Sequence, residues 1–347
     1  MFLKALKKLS TYLFALVIMA SCNSGEKLPD ISHIDVVIKS KRLDRALAVI
    51  DTNHVAEAVI ALKKEYPTFI DFYLDTLMGF GINGNYNDTV SAIRLGLRSF
   101  LTHKDYKGLF DTVLKHYPDT KATDEALQKG FKYMKYYYPN YEVPNIIYLI
   151  SGLGNWGAFT LAGTTVGVGL DMFLGPQYPF YKSVGLPDYM GKHFKPDYIP
   201  VAVFSAIYQD MHPFEMENRS LLEMMIEKGK LQYFIGHVLP EAPDSVRLAY
   251  SQKQLEWCAK NEGMVYNFFI KENLFYSKEW QKILRYVNDG PNSTGMPPES
   301  PGNIGSWLGL QIVKSYMKQH PETTLIQLLS LKTEPQNFLE QSKYKPR

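Results

Sequence analysis

The 347-residue chain is 46% apolar and 21% charged, enough for one large domain or two, each with a core of its own. Its formal charge of +3 comes from three lysines near the N terminus, Lys4, Lys7 and Lys8; the other 35 of its 38 Lys and Arg residues are balanced by 35 Asp and Glu. A chain neutral apart from that terminus has no basic excess for a nucleic acid, so no such partner is expected.

Those lysines open MFLKALKKLSTYLFALVIMASCNSGEK and form the positive end of an export signal. The uncharged run over residues 12–20 is too short to span a bilayer, which takes roughly 20 apolar residues, and suits the apolar stretch of a signal peptide. It ends in Met19-Ala20-Ser21-Cys22, small residues directly before a cysteine, as in a bacterial lipoprotein. The expectation is cleavage after Ser21, a diacylglycerol on the Cys22 thiol and an acyl chain such as palmitate on its new amino group. Several chains hold a protein to a membrane surface more firmly than one. With Cys22 lipidated, only Cys258 remains, so no intramolecular disulfide forms. Cys258 follows Leu255 by three residues on a helical face and reads as a buried, inert thiol.

Residues 1–21 are thus a lipoprotein signal, 22–32 the anchor and a polar tether, and 33–347 a single globular domain. In chain order, HIDVVIKS alternates Ile34, Val36 and Ile38 as a strand does. VAEAVIALKKEYPTFIDFYLDTLMGF reads as two short helices broken near Pro67, whose ring removes an amide donor. ATDEALQKGFKYMKYYYP carries a helix ending before Pro139. VPNIIYLIS and TTVGVGLDMF are the other two strand candidates. Further helices follow in DSVRLAYSQKQLEWCAKNEGMVYNFFIKENLF and SKEWQKILRYVND, and residues 291–302 form a Pro- and Gly-rich loop. In IGSWLGLQIVKSYMKQH, Ile304, Leu308, Ile312 and Tyr316 repeat at i+4 as a packed stripe, and Gly305 and Gly309 let a neighbour approach closely. The fold class is mainly α with a small β-sheet (α+β).

No motif supplies a complete catalytic constellation. Gly152-x-Gly154-x-x-Gly157 has the glycine spacing of a dinucleotide fingerprint, but AFTLAGTTVGVG follows where a helix is required. A glycine-rich hairpin accounts for it better. SLLEMMIEKGKLQYF, residues 220–234, has the form of a helix on which some zinc peptidases carry a third metal ligand. The eight histidines, however, include no pair four residues apart and none followed by Glu. In the corresponding helix DYIPVAVFSAIYQDMHP only His212 appears, beside Pro213, and Lys228 stands where the peptidase pattern has Glu. Without a metal, Ser220 and Glu223 make a capping box. Leu222, Met225, Ile226, Gly229 and Tyr233 then face inward, and Glu223, Glu227 and Lys230 form a solvated face. No Gly-x-Ser-x-Gly elbow is present. Asp171 is a candidate calcium ligand or site acid, or else a carboxylate capping backbone amides at a strand-to-loop turn. Asp171, His212, Glu223 and Glu227 are the candidate functional residues; no metal or other cofactor is expected. The 24 tyrosines cluster in FKYMKYYYPNYEVP and in residues 175–198, the latter an irregular surface suited to protein or glycan contacts.

The lipobox MASC, VGVGLDMFLGPQYPFY, LLEMMIEKGKLQYFIGHVLP, YSQKQLEWCAKNE and PGNIGSWLGLQIVKSYMKQHP together resemble the GldB-type gliding-motility lipoproteins of the Bacteroidota, in order across most of the mature chain. That family usually has Glu at the place of Lys228, and this chain departs from it. The resemblance implies a lipid-anchored accessory of gliding and of the linked type IX secretion machinery. It would contact the membrane through acylated Cys22 and other envelope proteins through its surface. No catalytic residue is established for the family, so the protein is expected not to be an enzyme, and only Cys22 carries across. The framework looks like that of a zinc peptidase without the metal site. The alternative is an envelope hydrolase or metal-dependent enzyme with an unrecognised carboxylate site. Asn23 rather than Asp follows the lipid cysteine and no acidic run succeeds it, which implies a periplasm-facing position in the cell envelope.

Overall fold

The computed structural model describes residues 28–154, 157–332 and 334–347. The signal over residues 1–21, Cys22 with the first part of its tether, and Asn155-Trp156 lie outside the described residues.

Four strands form a mixed sheet in the order β1-β2-β4-β3: β1 Ser40–Arg42, β2 Asn145–Leu149, β3 Ala158–Leu161 and β4 Thr165–Gly169. The first three in that order run parallel and β3 runs antiparallel at the edge. Ile146, Ile147, Tyr148 and Leu149 are all buried, the continuous apolar run that a central parallel strand requires. HIDVVIKS joins the sheet only at its end. Ser40 pairs with Ile146, Lys39 O accepts from Ile146 N, and β2 begins at Asn145, so the residues before Lys39 have no strand beside them. Val36 is nevertheless buried and Ile34 and Ile38 pack on the core, which explains the alternation without a ladder.

The hairpin expected for Gly152–Gly157 lies instead just after that segment, between β3 and β4. Ala162 and Gly163, both at positive φ, turn β3 into β4, and Thr164 N donates to Leu161 O. Phe159 lies across Gly167, its partner in the register, where a Cβ would stand 2.2 Å from the ring. The glycine therefore makes room for an aromatic ring on the edge strand.

Helices make up most of the rest. The N-terminal part contains α1 Leu43–Ala48, α2 Val55–Glu65, α3 Phe69–Asp71, α4 Arg98–Thr102, α5 Lys104–His116 and α6 Lys121–Tyr137. The break near Pro67 falls between α2 and α3, and α3 runs on into a π-helical turn, Phe72–Leu77. After the sheet come α7 Phe180–Ser183, α8 Ile199–Met211, α9 Leu221–Val238, α10 Asp244–Arg247, α11 Gln252–Lys260 and α12 Glu262–Lys271. The last group is α13 Trp280–Val287, α14 Ile304–Gln319, α15 Leu325–Ser330 and α16 Pro335–Ser342.

Helix α9 is the central element. Ser220 and Glu223 close the expected capping box at its start, and buried residues then occur around its whole circumference, from Leu221 to Val238. It touches α6, α8, α13, α14, α15 and α16, and its most extensive partner is α14. Glycines on both helices permit that contact: a Cβ on Gly309 would stand 1.7 Å from the Met225 carbonyl oxygen, and one on Gly229 would stand 2.3 Å from the Gly309 backbone. Helix α8 lies against β3 and β4 on one side and α6 and α9 on others, with Val203, Phe204 and Ile207 buried. The loop after α13 is tucked in rather than splayed out, since Ser293 and Ser300 are fully buried, Ser293 N donates to Ser300 Oγ and Ser293 Oγ donates to Pro301 O.

Candidate functional site

The four candidate residues fall in three places. Asp171 sits just after β4, fully buried. Its Oδ1 accepts from Ser151 N at 2.8 Å, and its Oδ2 accepts from Ser151 Oγ at 3.0 Å and Leu153 N at 2.7 Å. Burial pushes its carboxyl above the usual range, and these three donors only partly offset that. Tyr181 Oη donates to Asp171 O, Tyr117 Oη to Phe173 O and Tyr73 Oη to Ile150 O. The geometry is that of a latch holding the turn after β2 against the end of β4.

Glu223 is engaged at the start of α9. Its Oε2 accepts from Ser220 N at 2.8 Å and Ser220 Oγ at 3.0 Å, and its Oε1 accepts from Arg219 at 3.2 Å. Burial raises its carboxyl, but Ser220 and Arg219 outweigh this and leave it below the usual range. It opens into a polar hollow of about 540 Å³ with Glu217, Arg219, Lys278 and Glu334.

His212 and Glu227 come together. His212 caps the C-terminal end of α8, with its ring 5.1 Å from that of Tyr208 one turn earlier. Burial depresses the imidazole, Glu227 on α9 opposes this, and Lys230 adds to it, so His212 sits below its ordinary pKa. Lys230 is not part of a solvated face as its helical position suggests. It is 2% exposed, and its ammonium donates to Glu227 Oε1 at 2.7 Å and Leu331 O at 2.9 Å. The reason is that α9 is covered on every side, so even its polar stripe meets protein. Tyr208 Oη, His212 Nε2 and Tyr138 Oη are buried in this seam between α6, α8 and α9, with no hydrogen bond inside the protein. Tyr138 belongs to the cluster FKYMKYYYPNYEVP but neither it nor Tyr208 is among the candidate residues; the signal that marks Tyr208 is its i, i+4 spacing from His212 on a largely apolar helix.

Chemically the seam is closed to zinc. It offers one imidazole, one carboxylate already held by an ammonium, and a Tyr208 phenol whose pKa burial and Glu227 both raise. Among the described residues no three His, Cys, Asp or Glu side chains converge to ligate a metal. Cys258 is fully buried, which pushes its thiol up to about 12.

Burial depresses the Lys228 ammonium, and the charge of Asp289, beyond α13, opposes this. Asp289 Oδ2 lies 2.9 Å from His193 Nε2 and its Oδ1 lies 3.3 Å from Lys192 Nζ, ion-pair distances without hydrogen-bond geometry. Burial raises the Asp289 carboxyl, but His193 and Lys192 more than reverse this and bring it down to about 2. A folded pKa below the unfolded value gives stability that is present above about pH 4 and is lost as pH falls toward 2. Asp289→Asn is therefore expected to cost about 2 kcal/mol at neutral pH and to flatten the acid limb between pH 4 and 2. Urea unfolding across that range measures it.

The chain matches the family model described as gliding motility protein GldB over residues 24–346. No curated protein and no solved structure gives a match.

Proposed function

Because the chain belongs to the GldB family of gliding motility lipoproteins, we propose that it is a lipid-anchored, non-enzymatic accessory of the gliding and type IX secretion machinery, acting through protein contacts on the periplasmic side of a membrane. The observation that carries this reading is the extent of the family match, which starts two residues after Cys22 and covers all but the last residue of the folded unit Ile31–Arg347. Among the described residues no helix is long and apolar enough to cross a membrane. Contact surface is available. Residues 175–198 are not irregular throughout: they hold α7 and two 3-10 turns, Asp188–His193 and Pro196–Tyr198, and are partly exposed, with Phe180 47% and Val184 49% exposed. An apolar groove of about 390 Å³ runs between α6, the start of α8 and the end of α9, walled by Gly130, Pro200, Val201, Leu239 and Val246.

A clean deletion strain tests the reading, with secreted proteins identified by mass spectrometry. The expected result is loss of type IX cargo from the medium, restored by the intact gene and not by Cys22→Ala. An unchanged secretome in the deletion would remove the link to secretion.

A further inference from the structure

The groove between α6, α8 and α9 has a buried apolar floor, one polar group in that floor, and a charged rim. Gly130 and Tyr133 of α6, Pro200 and Val201 of α8, and Val238 and Leu239 at the end of α9 are all buried and line it. Pro196, Pro200, Pro240 and Pro243 stand around it. Each proline has a fixed φ and no N–H, so the walls are stiff and offer few backbone donors to an added strand. A hollow of about 390 Å³ with such walls takes an inserted side chain without first having to form. The polar group is Tyr133. It is only 4% exposed, and because it lines the groove, what remains open of it opens there. Among the described residues its hydroxyl has no hydrogen-bond partner, which a buried phenol ordinarily has. At the rim the charges do not balance. Lys129 is held by Glu241, and beside the groove Arg247 is held by Asp244. Asp197, just before α8, is exposed, and among the described residues its carboxylate has neither an ion pair nor a hydrogen bond.

We propose that this groove binds a segment of a partner protein in which an aliphatic side chain has Lys or Arg close beside it. The proposal rests on the reading of the chain as one that acts through protein contacts, and it names the surface and the chemistry of the partner. The aliphatic side chain fills the floor as an anchor, a backbone carbonyl of the segment accepts from Tyr133 Oη, and the base meets Asp197 at the rim. A fatty acid or an anionic phospholipid fits less well, because its head brings negative charge to a rim that already has an excess of it.

The test uses the full acylated chain in phosphatidylcholine nanodiscs. Random phage-displayed peptides are selected on it after those that bind empty nanodiscs are removed, and the enriched peptides are synthesised and titrated by fluorescence anisotropy. The expected peptides carry Leu, Ile or Val close to Lys or Arg. Their binding should weaken about tenfold or more in Ala126→Leu, which fills the groove from the half-buried wall of α6. Asp197→Asn should weaken it about threefold, and Asp197→Lys should turn the selection toward acidic peptides. Neither position is in the core, and melting temperatures no lower than that of the wild type check that the variants fold. No enrichment on the wild type overturns the proposal, as do enriched peptides without a base and peptides bound equally by wild type and Ala126→Leu. Binding of a dansylated fatty acid, or self-association of the chain, gives the groove another occupant if Ala126→Leu abolishes it, and that too overturns the proposal. Peptide binding is read on the purified protein and the secretome on cells. A groove that fails here leaves the link to secretion standing, and an unchanged secretome does not alter the titration.

Discussion

Gly309→Ala lowers the melting temperature by about 4 °C or more, the largest effect expected from any single methyl group in this chain. The added carbon would stand 1.7 Å from the Met225 carbonyl oxygen and 3.2 Å from Gly229 N, so backbone, not a flexible side chain, is in its way. Relief requires α14 to slide or lift from α9, which uncovers Met225, Ile226, Leu308 and Ile312 together. Overpacking of this kind typically costs about 1–3 kcal/mol, and a rigid backbone obstacle puts it at the upper end or beyond. Gly108→Ala in α5 is the control. Gly108 is exposed with nothing within 4 Å of its would-be Cβ, and there alanine should stabilise by about 0.5–1 kcal/mol through helix propensity and unfolded-chain entropy. If Gly309→Ala melted like wild type, the close crossing of α9 and α14 would be wrong.

Asp171→Ala is the second large effect, on the order of 4 kcal/mol in denaturant unfolding. It leaves Ser151 N, Ser151 Oγ and Leu153 N without their acceptor at a fully buried place, and each such orphan costs about 1–3 kcal/mol. Asp171→Asn should recover part of the loss, since one amide oxygen still accepts while the NH2 group faces donors. The pair of variants separates two roles. A latch predicts that secretion follows stability in both variants. A chemical role predicts an Asn variant that folds and yet secretes nothing.

Local chemistry in the sequence is what made much of the fold legible. The Ser220–Glu223 box, the stop before Pro139 and the Ile304 stripe are all decided within a few residues, and the structure has them where the pattern puts them. Gly309 was legible as a place of close approach, although its partner Gly229 was not. HIDVVIKS misled because alternation reports which side chains are buried and not whether a neighbouring strand exists. Lys230 misled for a related reason. Helical periodicity assigns a polar stripe to solvent, and only the tertiary arrangement around α9 shows that Leu331 reaches that stripe. The Lys192–His193–Asp289 cluster joins segments nearly a hundred residues apart, and no spacing in the chain marks it.

The α9–α14 crossing also orders events in time. Residues 239–303 separate the two helices, so a chain that emerges from its N terminus exposes the Gly229 face of α9 well before its cover exists. Folding of the centre is therefore deferred until α14 has followed. It also sets a hazard. A chain stalled between α9 and α14 presents Met225, Ile226 and Phe234 to water, and such a species is a substrate for proteases and chaperones rather than a partly working protein.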